Sequence, residues 1–209
     1  NAAGWNNTPV TVTWEATDAT SGVSTVTAPT VVATPGANIV VKGTATDAGG
    51  LTSELEVSLK LDLKSPTVTI TSPVPNQEGD DQLVVASTAV TISGVISDDA
   101  LSGFAGGLLT SSKTKEKVIF DTPGGYSEDL QLTVGINTVI VSATDIAGNA
   151  GTASICIIVD TTKPQVTIQH PPIGYKTTAD QLDVSGVAHD LVVGSVTGED
   201  VTVSVNGVD

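Results

Sequence analysis

The fold is decided by residues 138–149, which read TVIVSATDIAGN. Val139 and Val141 alternate with residues of other types, which is the period of a β-strand that has one buried face. Asp145 follows the alternating run, and Gly148-Asn149 are residue types that turn a chain sharply. The stretch therefore predicts a strand that ends in a tight turn.

The same pattern occurs earlier in the chain. Residues 44–53 read TATDAGGLTS, and Asp47 stands 98 positions before Asp145. The segment SPTVTI at 65–70 recurs as KPQVTI at 163–168, again 98 positions later. Self-similarity at this period indicates modules of roughly 95 residues, the size of an immunoglobulin-type β-sandwich.

A third repeated segment divides the chain into modules. It reads VTVTWEATD at 10–18, VTISGVISD at 90–98 and LDVSGVAHD at 182–190. We therefore expect module 1 at residues 1–63, module 2 at 64–161 and module 3 at 162–209. Module 2 is expected to be complete, module 1 to lack its first strand, and module 3 to contain only its N-terminal half.

Composition agrees with an all-β fold of tandem immunoglobulin-like sandwiches placed end to end. Val and Thr recur throughout and suit a pleated surface, while 21 Gly and 10 Pro fall between the apolar runs, where turns are expected. In module 2 the alternation predicts strands at 67–71, 89–97, 126–132, 138–144 and 152–159, and a hairpin over 108–120. A longer loop is expected from 76 to 86.

Charge excludes one class of function. The net charge is −15, and the eight basic residues are all Lys. Such a chain repels phosphate backbones, so nucleic-acid binding is not expected. The apolar runs are too short to span a membrane. The surplus of carboxylates suits a solvated exterior, and it also suits a hard cation such as Ca²⁺.

Catalysis has little support in the sequence. The two histidines, His170 and His189, are far apart, and no known catalytic or metal-binding string is present. The lone Cys156 lies in an apolar run and is expected to be a small buried residue. We predict that the segment is not an enzyme. We expect Trp5 and Trp14 to pack in the core or at a junction rather than to form an exposed surface on which sugars stack.

Aspartates near the predicted module junctions allow two interpretations. Asp and Gly-Asn form turns by accepting backbone hydrogen bonds and by adopting positive φ angles, which alone explains the repeated ATD motif. The alternative is calcium bound between modules, because Ca²⁺ takes six to eight oxygen ligands. The candidate ligands are Asp62, Asp98, Asp99, Asp145, Asp160 and Asp190. A second acidic group at 78–81 is expected to be a solvated loop.

Three stretches resemble a known group of modules. GYSEDLQLTVGINTVIVSATDIAGNAGT at 125–152, GWNNTPVTVTWEATDATSGV at 4–23 and the linker VDTTKPQVTI at 159–168 are similar to tandem bacterial Ig-like domains of large surface or secreted adhesin-type proteins. The resemblance implies an Ig-like fold, a place outside the cell or on its surface, and hinges stiffened by calcium. Module 1 departs from it with Asp47-Ala48-Gly49-Gly50 in place of Asp-x-Ala-Gly-Asn.

The function expected from these features is structural. The leading hypothesis is an adhesin-type stalk or spacer whose partners are neighbouring modules, other surface proteins or glycans. One alternative is a carbohydrate-binding or spacer module of a secreted polysaccharide-active enzyme, which predicts an exposed aromatic platform. Another is a filament subunit whose incomplete modules are completed by strand exchange.

Overall fold

The computed structural model describes residues 1–74, 82–99, 101–113 and 117–189. Within these ranges the regular structure is entirely β-strand, and no helix there is long and apolar enough to cross a membrane. The strands, in chain order, are β1 (Trp5–Asn6), β2 (Val10–Val12), β3 (Val23–Val26), β4 (Thr30–Val32), β5 (Gly36–Asp47), β6 (Thr52–Leu61), β7 (Thr67–Ser72), β8 (Gln82–Val85), β9 (Ala89–Ser97), β10 (Phe104–Ser111), β11 (Lys117–Phe120), β12 (Gly124–Gln131), β13 (Gly135–Asp145), β14 (Ala150–Val159), β15 (Gln165–His170) and β16 (Ser185–His189). The all-β fold expected from the sequence is confirmed.

Alternation of buried and exposed residues explains why the strands form where they do. In β13, Val139 and Val141 are fully buried, while Ile140 between them faces outward. In β9, Ile92 and Ile96 lie on the buried face in the same way. Residues two apart share one face of a strand, so each strand contributes one apolar row to the core.

Strands β7–β14 form a two-sheet sandwich. One sheet has the order β11-β10-β13-β14-β8 and the other has the order β12-β9-β7. Their inner faces enclose the largest core of the described residues, which includes Ile92, Leu109, Leu130, Val139, Val141 and Ile157. The arrangement is that of an Ig-like module, with the β13–β14 turn at one end of the sandwich.

Strands β1–β6 form a smaller version of the same arrangement. One sheet has the order β1-β6-β5-β3, and β2 pairs with β4 in the other. The buried apolar residues are Val32, Val41 and Leu61. Half-buried residues pack against them, among them Trp14 and Leu59. This core is smaller because the second sheet consists of two three-residue strands.

Strands β15 and β16 form an antiparallel pair. The first of them begins directly after Pro164, as β7 begins directly after Pro66. Val166 and Ile168 are about two-thirds exposed, at 67% and 68%. The boundaries at residues 63–64 and 161–162 stay predictions, and much of the second half of module 3 lies outside the described residues.

Two expectations were wrong in detail. The segment expected to be a loop from 76 to 86 contains β8, which pairs in parallel with the last residues of β14. Four residues are too few to show a convincing alternation, and their partner lies far away in the sequence. Cys156 is only half-buried, because it alternates with Ile155 and Ile157 and therefore lies on the opposite face of β14.

Candidate functional site at the junction of modules 1 and 2

The segment that joins β6 to β7 is buried where it begins. Leu61 is fully buried and Asp62 is 1% exposed. The Asp62 backbone N–H donates to the carbonyl of Asn6, 2.9 Å away, which continues the parallel pairing of β1 with β6. The linker therefore leaves module 1 as a continuation of its sheet.

The side chain of Asp62 reaches into module 2. Its Oδ2 accepts a hydrogen bond from the Ser102 backbone N–H at 2.8 Å, and its Oδ1 accepts one from the Lys64 N–H at 3.1 Å. Burial by itself disfavours the charged form, but the hydrogen bonds from Ser102 and Lys64 outweigh burial and hold the pKa of the Asp62 carboxyl below its usual value. A buried carboxylate at the end of module 1 is thus kept charged by donors from module 2.

The turn between β13 and β14 forms the facing surface. Asp145 is 2% exposed, and its Oδ1 accepts hydrogen bonds from the backbone N–H groups of Gly148 at 2.7 Å and Asn149 at 2.8 Å. Gly148 has a φ of +99°, a backbone conformation that costs glycine little. The turn chemistry inferred from the ATD motif is present here.

Asn149 connects this turn to the linker. Its Nδ2 lies 2.7 Å from Asp145 Oδ2, 3.0 Å from the Asp62 carbonyl oxygen and 3.4 Å from the Lys64 carbonyl oxygen. The amide therefore donates both to the turn of module 2 and to the chain arriving from module 1. Ser102 adds a further link, since its Oγ accepts the Ala147 backbone N–H at 3.2 Å.

The first residues of the chain also contact this turn. Asn1 Nδ2 donates to the carbonyl of Ile146, and an added Cβ on Gly148 would lie 3.5 Å from Asn7 Nδ2. Asn1 Oδ1 accepts the backbone N–H groups of Ala3 and Trp5, which orders this segment. We define the junction cluster as Asp62, Ser102, Asp145 and Asn149, with Asn1 and Asn7 at its edge.

The structure brings some of the predicted calcium ligands together and separates others. Asp62 and Asp145 both contact Asn149, and their carboxylates already accept N–H donors. Asp98 is half-buried, whereas Asp99 is exposed and pairs with the Lys64 ammonium group, which lowers the Asp99 pKa. Asp160 belongs to the next linker and accepts hydrogen bonds from Thr162. Asp190 lies outside the described residues.

No three His, Cys, Asp or Glu side chains in the described ranges are arranged to hold a metal ion. The calcium site therefore stays a prediction. The acidic group predicted at 78–81 lies outside the described residues.

The aromatic residues do not form an exposed platform in the described part of the chain. Trp5 and Tyr126 are each 8% exposed, Trp14 is half-buried and Tyr175 is 51% exposed. Tyr175 stands near His170, with ring centroids 6.3 Å apart. A single exposed tyrosine offers little surface for stacking sugars.

Asn149 and Ser102 were missed as junction residues by sequence reasoning. The signal was present for Asn149, because module 1 carries Leu51 at the equivalent position, and Leu51 is 76% exposed. The two turns are otherwise alike: Asp47 Oδ1 accepts the Leu51 N–H, and Gly50 has a φ of +85°. Because the turn of module 1 forms with Leu51 at this position, the turn itself does not require Asn149. The additional role of Asn149 is its contact with the linker. Ser102 carried no such signal.

The fold and the junction place this chain in the class of proteins that contain tandem Ig-like β-sandwich modules. Residues 66–161 match the family model described as "Glucodextranase, domain B", over less than half of the chain. No curated protein matches the chain. Among solved structures it is similar to one described as "Structures of Clostridium thermocellum CbhA fibronectin(III)-like modules". The identity is 17%, the TM-score is 0.37, and 74% of this chain and 87% of that chain are covered.

Proposed function

We propose that this segment is a non-catalytic part of a secreted polysaccharide-active enzyme, in which its modules space and orient other domains. The observation that carries the proposal is the match of residues 66–161 to a family model named for a domain of glucodextranase. That match favours the enzyme-attached module over the adhesin-type stalk, because the matched family takes its name from an enzyme. A secreted enzyme encounters its polysaccharide outside the cell, so the proposal includes an extracellular location.

The junction cluster supports a spacing role. A flexible linker leaves its backbone groups to water, whereas here the Asp62 carbonyl and carboxylate bond to Asn149 and Ser102 of module 2. Hydrogen bonds to a charged group are each worth about 1.5–3 kcal/mol. The Ser102 bond to the Asp62 carboxylate and the Asn149 bond to the Asp62 carbonyl both cross the junction and oppose bending between the two modules.

The surface charge fits the same role. A net charge of −15 on 209 residues keeps neighbouring modules solvated and opposes their collapse onto one another. The one described ion-pair cluster of module 1, Lys42 with Glu54 and Glu56, lies on its solvent face. The partners in this proposal are the flanking domains of the same polypeptide.

The proposal is tested on the full-length polypeptide that contains this segment. We expect that polypeptide to release reducing sugar from at least one polysaccharide in a panel of soluble and insoluble glucans. Deletion of residues 1–209 should leave hydrolysis of a short soluble oligosaccharide unchanged and should slow hydrolysis of the insoluble polymer. Release of no sugar by the full-length protein would contradict the proposal, and so would loss of oligosaccharide hydrolysis on deletion.

A further inference from the structure

The outward faces of the larger sheets of modules 1 and 2 differ in charge. In module 1, Lys42 on β5 forms ion pairs with Glu54 and Glu56 on β6. Lys60 is exposed on the same side of β6, because residues two apart share one face of a strand. Ion pairs of this kind are well solvated and contribute little stability. This face of module 1 is therefore an ordinary solvent-exposed surface.

The equivalent face of module 2 is uncharged at the same positions. In module 1, Lys42 lies opposite Glu56. In module 2, Ile140 lies opposite Ser154, 98 positions later on both strands. None of the four charged residues of module 1 has a charged counterpart, and two of the counterparts are isoleucine. The counterparts are Ile140 for Lys42, Thr152 for Glu54, Ser154 for Glu56 and Ile158 for Lys60.

Isoleucines and a cysteine form an exposed apolar patch on this face. Ile136 lies opposite Ile158, and Ile140 lies diagonally opposite Cys156 on the same two strands. Ile136 and Ile140 are 58% and 41% exposed, and Cys156 and Ile158 are half-buried. Val84 on β8 is opposite Ile158 and continues the row. Side chains at opposite and diagonal positions of one sheet face are neighbours, so these five residues make one continuous apolar patch.

The uncharged surface extends along the three central strands of the sheet. Along β10, β13 and β14, all of them within the described residues, the outward positions hold no Asp, Glu, Lys or Arg. A five-stranded face whose central strands have eight to eleven residues covers roughly 600 Å². Two such faces in contact bury about 1,200 Å², which reaches the lower end of the range for stable specific interfaces.

We infer that this face of module 2 binds the same face of a second copy of the chain. Two chains that each have a net charge of −15 repel each other where their carboxylates approach, and the repulsion is weakest at a face without charges. A charged partner would find no opposite charge on the central strands, whereas a second copy presents a matching uncharged apolar patch. A two-fold contact places the same surface on both sides, so it needs no complementary charges.

Analytical ultracentrifugation of the 209-residue chain tests the pairing. We expect an equilibrium between monomer and dimer at micromolar to millimolar concentrations. Raising the salt concentration should strengthen the association, because salt screens the repulsion between the two acidic chains. Association that salt weakens would indicate contacts made by ion pairs, and it would contradict the inference.

Two charge variants locate the contact. Ile140→Lys and Ile158→Lys introduce the residue that module 1 has at these positions, so we expect both variants to fold. Each should weaken association at least about tenfold, because an ammonium group would be buried without a partner. Val95→Lys is the control, since Val95 is 45% exposed on β9 in the other sheet. Each variant lowers the negative charge, so an effect of net charge alone would strengthen association in all three.

The thiol of Cys156 reports whether the face is covered, because the sequence contains one cysteine. Its alkylation by iodoacetamide should slow as the protein concentration rises into the dimeric range, and Ile140→Lys should remove that dependence.

Three outcomes would overturn the inference. The first is association that neither isoleucine variant weakens. The second is a dimer in which Cys156 reacts as fast as it does in the monomer, which would place the contact on another face. The third is a chain that stays monomeric at millimolar concentration. If Cys156 is nevertheless protected in the full-length polypeptide, a flanking domain covers the face instead of a second copy.

Discussion

The side-chain amide of Asn149 donates a hydrogen bond to the backbone carbonyl of Asp62 across 3.0 Å, although the two residues are 87 positions apart. This bond joins the β13–β14 turn of module 2 to the linker that follows β6 of module 1.

Replacing Asn149 by Leu, the residue of module 1 at this position, should loosen the junction. The variant loses donors to the Asp62 carbonyl and the Asp145 carboxylate, and the acceptors stay partly buried, which costs about 1–3 kcal/mol. Urea unfolding should show the lower stability, and small-angle scattering should show a wider range of end-to-end distances. The reverse change, Leu51→Asn, is the control and should alter neither. Unchanged scattering from Asn149→Leu would contradict a role for Asn149 in holding the two modules together.

Stability should fall in acid partly because of Asp62. The pKa of this carboxyl is lower in the folded protein than its ordinary value of 3.8, so the carboxylate stabilises the fold above that pH. The contribution is lost as the pH falls through the folded pKa. Asp62→Asn should lower the free energy of unfolding at pH 7 and flatten its decline below about pH 4.

The control for Asp62→Asn is Asp121→Asn. Asp121 is exposed, so Asp121→Asn makes the same chemical change outside the junction. Equal profiles for both variants would show that Asp62 does not contribute to the acid sensitivity.

Asn137 should be among the costliest polar residues to replace. It is fully buried, its Nδ2 donates to the Thr133 and Gly135 carbonyls at 2.7 and 2.8 Å, and its Oδ1 accepts from Thr133. Asn137→Leu leaves those groups without partners, which costs about 1–3 kcal/mol for each group left unsatisfied. Thermal unfolding measures this. Ile140→Val, at a residue 41% exposed on β13, should change stability by less than about 1 kcal/mol.

Gly43→Ala should destabilise module 1, because the added methyl group would collide with the indole ring of Trp14. A Cβ at this position would lie 2.2–2.5 Å from three Trp14 ring atoms, so the ring has to move. Overpacking of this kind costs about 1–3 kcal/mol. The matched control is Gly106→Ala, where the nearest atom would be 3.9 Å away. Tryptophan fluorescence should report the displaced ring, and an unchanged spectrum would contradict the packing described.

Calcium at the predicted junction site should be detectable by thermal unfolding. If Ca²⁺ binds there, its addition should raise the melting temperature, by the equivalent of about 2.7 kcal/mol at a hundredfold excess over Kd. Chelation should reverse the effect, and Asp145→Asn should abolish it. A melting temperature that is the same with calcium and with chelator would reject the predicted site.

Sequence reasoning succeeded where the signal was local. The alternation in β9 and the turn after Asp145 need only neighbouring residues, and the structure has both. It failed for β8, whose four residues form a strand because β14 lies beside them. It also missed that Ser102 meets Asp62, since no short-range pattern relates residues 40 positions apart.

The amino-acid order alone determined that this chain is built from repeated β-sandwich modules, because a buried strand face and a sharp turn each require particular residue types at short spacing. The tertiary structure decided what the aspartates do and that the short segment β8 becomes a strand. Those outcomes depend on which distant backbone donors reach a carboxylate, and on which strand lies beside a short segment, and neither is encoded within a few residues of the groups concerned.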